Sequence, residues 1–256
     1  MDTRAFDIGM IGQVMPDLLS YLDVTLLVGF VSIALGSLLG ALITWANLGS
    51  PAPLRWLVVG YVYVMRCTPS IVLLFIVFYG LPKLLDTMFG YDMNAMHRAV
   101  FAIITFTLLF GAYISEVFRA AYSALPRGQY EAAVSAGLTP FQAFRHVMLG
   151  QTAIIALPNF GNAAINLLKE ASLAYTIGLI DLIGKGNLII AQNFGAYGIE
   201  IYLACMLVYW VMVLLLEQVF HWLEKRLDKG TSLRAASAEK HGGTQLRGGD
   251  SVGAGS

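Results

Sequence analysis

Five long apolar runs, separated by short stretches of glycine, proline and charge, organise the chain. A helix that crosses a hydrocarbon core needs about 20 mostly apolar residues, and residues 24–46 meet this without a charge. Gly29, Gly36 and Gly40 within that run leave room for a neighbouring helix, and the Gly, Ser and Pro of residues 47–53 end it. Residues 54–65 are largely apolar and then meet Arg66. Thr68 followed by Pro69 reads as an N-cap with proline at the first helical position. The second span is therefore predicted to start near Pro69 and run to Leu81. Residues 54–65 are left along the membrane interface, with Tyr61 and Tyr63 as belt residues. Lys83, Asp86, Gly90 and Asp92 mark the polar loop beyond. Residues 99–118 form the third run, interrupted only by Glu116, whose expected partner is Arg119 at an i,i+3 spacing. The fourth, residues 152–183, is interrupted by Lys169, Glu170 and Gly178, and the fifth covers residues 199–220.

Between residues 119 and 150 the composition becomes mixed, with Arg127, Glu131, Gln142, Arg145 and His146. Residues 129–136 are helical in character, Gly137 is a C-cap candidate, and Thr139 with Pro140 opens another short helix. This is a helical hairpin outside the bilayer. The first 23 residues carry Asp2, Asp7, Asp17 and Asp23 against Arg4 alone and so lack the basic start of a signal peptide. The expected organisation is an external amino-terminal segment (1–23), a transmembrane domain (24–227) with loop 119–150 in the cytoplasm, and a disordered cytoplasmic tail (228–256) with too few large apolar groups for a core.

Composition agrees with a membrane protein: 57% of the 256 residues are hydrophobic and 12% charged, against about 25% charged in a soluble domain. Lys plus Arg (16) balance Asp plus Glu (16), so no basic excess recruits nucleic acid. The asymmetry lies between the two sides of the bilayer. With five spans, Arg55, Arg66, Arg119, Arg127, Arg145 and the Lys and Arg of residues 225–247 share one side. Arg4, Lys83, Arg98 and Lys185 take the other. The first side is then the cytoplasm. Cys67 and Cys205 lie far apart in apolar runs and form neither a disulfide framework nor a metal site. No internal repeat supports an inverted-repeat carrier.

The chemistry concentrates in the fourth run. Asn159, Asn162, Asn166 and Glu170, spaced by three and four residues, share one helix face. If the helix enters near Pro158, Glu170 lies about 18 Å along it at 1.5 Å per residue, slightly past the middle of the bilayer core. A carboxylate there must face water, a partner or a ligand. Lys169 points about 100° away and does not satisfy it, which favours a pathway lining over a pair that merely closes a bundle. His97, His146, His221 and His241 are scattered and form no catalytic or zinc arrangement. No G-x-x-x-x-G-K-[ST] occurs, so the chain is not expected to hydrolyse ATP. Two rival readings are an ion-coupled secondary carrier and a membrane enzyme using Glu170 and Asp181 as acid and base.

Glu131, Ala132 and Ala133, followed by Gly137 and then by Val147, Met148 and Leu149, resemble the EAA loop of permease subunits of ATP-binding-cassette importers. Gly150 stands where that family usually has proline. Several further stretches resemble polar amino-acid permeases: Arg66 to Pro69, Gly80 to Pro82, Glu116 to Arg119, Ala156 to Asn159, and Leu168 to Leu173, where the family usually has Asp in place of Glu170. Residues 180–186 and 200–210 are most similar to cystine permeases. The resemblance covers about residues 20–227. It implies an all-α integral membrane protein with five transmembrane helices and a cytoplasmic coupling-helix loop, like a type I importer permease. It implies a bacterial inner (cytoplasmic) membrane location among lipid, and pairing with a second permease subunit, identical or homologous. A periplasmic or external substrate-binding protein would deliver the amino acid, cystine first among candidates. A separate ATPase subunit would bind ATP and Mg, leaving this chain without a cofactor. The expected coupling residues are Glu131, Ala132, Ala133 and Gly137. The expected substrate path is Asn159, Asn162, Asn166 and Glu170, with Ser172 from the Leu168 to Leu173 motif.

Overall fold

The computed structural model describes residues 6–93 and 95–246, the side chains of Arg127 and of residues 228–246 excepted. Every regular element described is helical. The chain opens with α1 (Ile8–Leu19), whose first turn is capped by Asp7 accepting from the Gly9 N–H at 2.8 Å. The long apolar α2 (Leu22–Gly49) follows, then α3 (Ala52–Cys67), which has Pro51 as its N-cap. After Thr68 and Pro69 the chain resumes as α4 (Ser70–Phe75), a π-helical turn (Ile76–Gly80) and α5 (Leu81–Phe89), stopped by Gly90 at φ +64°. The helix α6 (Arg98–Ser123) returns. The hairpin is α7 (Arg127–Ser135) and α8 (Pro140–Ala143). A π-helical turn leads into α9 (Leu149–Glu170), which tightens into a 3-10 helix (Ala171–Ile177) before α10 (Leu182–Gln192) and α11 (Gly198–Leu246).

The core is built on α2 against α6. Small residues allow the approach: Gly36 backs on Phe110, Gly40 on Ile114, and Gly111 on Leu39. Thr44 donates to the Ser115 carbonyl at 2.9 Å across the same interface, and Phe106, Leu109, Phe110 and Ile114 are buried beneath it. On the other flank of α6, Phe160 of α9 stacks on Phe118 at 6.3 Å and meets Phe110 and Phe220 edge-on at 5.9 and 6.1 Å. A smaller cluster ties α1, α10 and α11 together through Leu18, Leu182, Ile201 and Cys205. The outer surface of α2 exposes Leu27, Phe30, Leu38, Leu42 and Trp45, a face suited to hydrocarbon rather than water.

Four helical stretches are long and apolar enough to cross a membrane: Leu22–Gly49, Ser70–Phe89, Arg98–Ser123 and Gly198–Leu227. Pro140–Ile177 with Leu182–Gln192, bent by 45°, supplies a broken fifth.

Two features differ from the sequence-based expectation. Residues 54–65 do not lie apart along an interface: α3 packs on α2 and α6, Val62 is buried, and the Tyr61 hydroxyl donates to the Leu108 carbonyl midway along α6 at 2.8 Å. Thr68 and Pro69 thus break a longer helical run, because proline removes one N–H without preventing helix on either side. Residues 228–246, expected to be disordered, continue α11 as helix, in keeping with the helix-forming Ala235, Ala236, Ala238, Glu239 and Lys240; residues 247–256 of that tail lie outside the described residues.

Candidate translocation groove and coupling loop

The polar face of α9 lines a groove of about 610 Å³. Asn159, Asn162, Asn166 and Glu170 form one wall, and Leu109, Phe110, Tyr113 and Val117 of α6 form the other. The three-four-four spacing therefore does bring the amides and the carboxylate together. The Asn side chains are exposed to the groove, while Glu170 is half-buried and its Oε2 accepts a hydrogen bond from the Ser70 hydroxyl at 2.7 Å. Ser70 opens α4, so the carboxylate also stands at the positive end of that helix. Lys169 lines the same groove, yet among the described residues it makes no ion pair with Glu170. Ser172 does not line it. Its hydroxyl turns back to the Lys169 carbonyl at 2.6 Å inside the 3-10 helix. Asn162 also borders a second groove of about 400 Å³ on the opposite flank of α9, where Glu217, His221 and Glu224 of α11 gather.

Sequence reasoning missed Ser70 and Tyr113. Ser70 carried a signal, since it stands directly after the predicted helix start at Pro69, but its partner lies 100 positions away. Asp181, paired with Glu170 in the enzyme reading, is 1% exposed. It caps α10 by accepting from the Gly184 N–H at 2.8 Å and is not part of the groove wall. No shared acid-base site links the two carboxylates. Glu116 pairs with Arg119 as expected, at 2.6 Å.

In the hairpin, α7 ends in a Schellman turn: Gly137 has φ +90°, its N–H donates to the Val134 carbonyl at 2.9 Å, and the Leu138 N–H reaches the Ala133 carbonyl at 3.2 Å. A left-handed residue is needed there, which glycine adopts without strain. Thr139 and Gln142 then form a reciprocal capping box at 3.3 and 2.9 Å that starts α8. Glu131, Ala132 and Gly137 are exposed. Ala133 is only 7% exposed, turned into the hairpin rather than outward.

A helical membrane domain with a polar intramembrane groove and a capped helical hairpin beside it is the architecture of a transport component, and comparison with known proteins agrees. Residues 32–229 match the family described as binding-protein-dependent transport system inner membrane component. The chain belongs to that family and is a multi-pass inner-membrane transport protein. It is 38% identical to the L-cystine transport system permease protein TcyL of Bacillus subtilis, over 88% of this chain and 93% of that protein. It is 34% identical to the probable amino-acid ABC transporter permease protein PatM of Vibrio harveyi, over 88% and 97% respectively. Among solved structures, an amino acid ABC transporter crystallised with histidines matches with a TM-score of 0.75 and 28% identity, over 87% of this chain and all (100%) of that one. The MetNI methionine ABC transporter, at a TM-score of 0.62 and 19% identity, shares the fold.

Proposed function

We propose that the chain is the permease subunit of an ATP-driven importer of a polar amino acid, L-cystine foremost, with the α9 groove as its path. The observation that carries this reading is the groove itself: three amides and one serine-held carboxylate on a single intramembrane face. An ammonium group finds its counter-charge in Glu170, and a carboxylate in a partly desolvated path is worth more there than in bulk water. Asn159, Asn162 and Asn166 offer donors and acceptors in line with it, suited to an elongated zwitterion with an ammonium and a carboxylate at each end. A basic amino acid would call for further buried acids. The likeness to the cystine permease TcyL supports the same substrate.

In this reading two permease subunits, identical or homologous, enclose the path within residues 24–227. A binding protein delivers the amino acid from outside, and a separate ATPase subunit holds ATP and Mg. The amino terminus is external and the 119–150 hairpin cytoplasmic, where Glu131, Ala132 and the Gly137 turn present α7 to the ATPase. The chain itself performs no hydrolysis; its work is mechanical coupling.

Reconstitution with the ATPase and binding protein in proteoliposomes tests this. ATP-dependent uptake of labelled cystine is expected, reduced by about tenfold or more in Glu170→Ala with assembly retained. Uptake driven by an ion gradient without ATP would overturn the mechanism. Uptake of glutamine, histidine or arginine but not cystine would overturn the substrate.

A further inference from the structure

Arg66 lies in the last turn of α3, four residues before Ser70, between two contacts that reach the interior of neighbouring helices. Tyr61, five residues earlier, reaches the Leu108 carbonyl midway along α6, and Ser70 reaches Glu170. A guanidinium at such a level is costly unless it faces a partner, a ligand or water. Among the described residues Arg66 makes no ion pair. Its Cζ lies 5.7 Å from the ring centroid of Tyr113. Glu116, the carboxylate in the same groove, is occupied: Arg119 holds it through Nε at 3.1 Å to each oxygen and through Nη2 at 2.6 Å. The groove around Arg66 measures about 440 Å³, and Tyr113 is a wall both of it and of the groove that carries Glu170. One tyrosine therefore separates an uncommitted cation from a serine-held anion.

We propose that Arg66 binds the carboxylate of the transported amino acid while Glu170 takes its ammonium, with Tyr113 between them. The inference rests on the reading of the α9 groove as the path. The guanidinium presents a planar fork of donors that matches a carboxylate bidentately. The two charges answer the two ends of an α-amino-acid zwitterion, a chemistry shared by every such substrate. Selection among side chains falls to the asparagines further along α9. A lipid phosphate is a poorer match for Arg66, because headgroups stay at the membrane faces.

Equilibrium binding to the detergent-solubilised complex of permease and ATPase tests this without the binding protein. Radiolabelled L-cystine, L-glutamine and L-arginine are compared, and the one that binds the wild type most tightly becomes the probe. It is displaced by its unlabelled form, its methyl ester and its N-acetyl derivative. The wild type is expected to discriminate against both derivatives. Arg66→Gln loses the discrimination against the ester by about tenfold or more and keeps that against the N-acetyl compound. Glu170→Gln shows the opposite pattern. Arg66→Lys keeps the charge and loses the fork, and is expected to weaken the preference for the free carboxylate several-fold; it serves if Arg66→Gln does not assemble. An unchanged preference for the free carboxylate in the assembled Arg66 variants overturns the proposal. Loss of it in Arg66→Gln, with ammonium discrimination intact in Glu170→Gln, upholds Arg66 and removes Glu170 from its role. Binding of none of the three amino acids by the wild type overturns the path reading and this inference with it.

Discussion

A Cβ added to Gly40 of α2 would lie 3.1 Å from the carbonyl oxygen of Gly111 on α6 and would run into the Ile114 side chain. The two backbones meet where neither residue has a side chain. Gly40→Ala is therefore expected to destabilise the subunit by roughly 1–3 kcal/mol, the usual cost of overpacking. Gly12 of α1 has nothing within 4 Å of the same position, so Gly12→Ala is expected to be neutral or slightly stabilising through helix propensity. Thermal unfolding in detergent separates the two, and equal midpoints would refute the role given to Gly40.

The parts of the fold readable in advance are those set by short-range chemistry. The hairpin at residues 127–143 was legible because Gly137, Thr139, Pro140 and Gln142 each act on neighbours within three residues. The polar face of α9 was legible because helical periodicity alone collects its residues. The break at Thr68 and Pro69 was visible, but whether it lay at the membrane face or within a span depends on Tyr61 finding Leu108 and Ser70 finding Glu170, contacts 47 and 100 positions apart. No local pattern encodes these.

The Ser70 hydroxyl fixes the Glu170 carboxylate at 2.7 Å, and a hydrogen bond to a charged group contributes about 1.5–3 kcal/mol. Ser70→Ala is expected to raise the transport KM by about tenfold or more while leaving the subunit assembled. Ser70→Thr keeps the hydroxyl and restores most of the affinity. If the alanine variant transports with wild-type KM, Glu170 is oriented by something other than this bond.

The turn after α7 depends on backbone conformation rather than on packing. Gly137 has φ +90° and no atom within 4 Å of a built Cβ, so Gly137→Ala meets no clash and suffers only the left-handed penalty of about 1–2 kcal/mol. Gly137→Asn, better tolerated in that region, should be milder. Ala133→Leu acts differently, by overfilling the inside of the hairpin. All three are expected to lower transport and substrate-stimulated ATPase activity together in an assembled complex, in the order Ala133→Leu and Gly137→Ala above Gly137→Asn. Uncoupling that is as severe for asparagine as for alanine would show that the loss comes from surface contact, not from the turn.

The orientation proposed from the charge distribution is tested by labelling with an impermeant thiol reagent. Cys67 is exposed and Cys205 buried, so both are first removed, as Cys67→Ser and Cys205→Ala. A single cysteine is then placed either at Asp7, the exposed cap of α1, or at Ser135, exposed in the last turn of α7. Between these sites the chain crosses through α2, back through the α3 to α5 run, and again through α6, an odd number of passages, so the two thiols must lie on opposite sides. The side rich in Lys and Arg retains the cytoplasm, because moving those cations across costs more than leaving them. Asp7→Cys should react in intact spheroplasts, and Ser135→Cys should react only after permeabilisation. Labelling of both from outside would mean an even number of passages and would exclude α3 to α5 as a single crossing, whereas the reverse pattern would keep the spans and invert the assignment of the hairpin to the ATPase side.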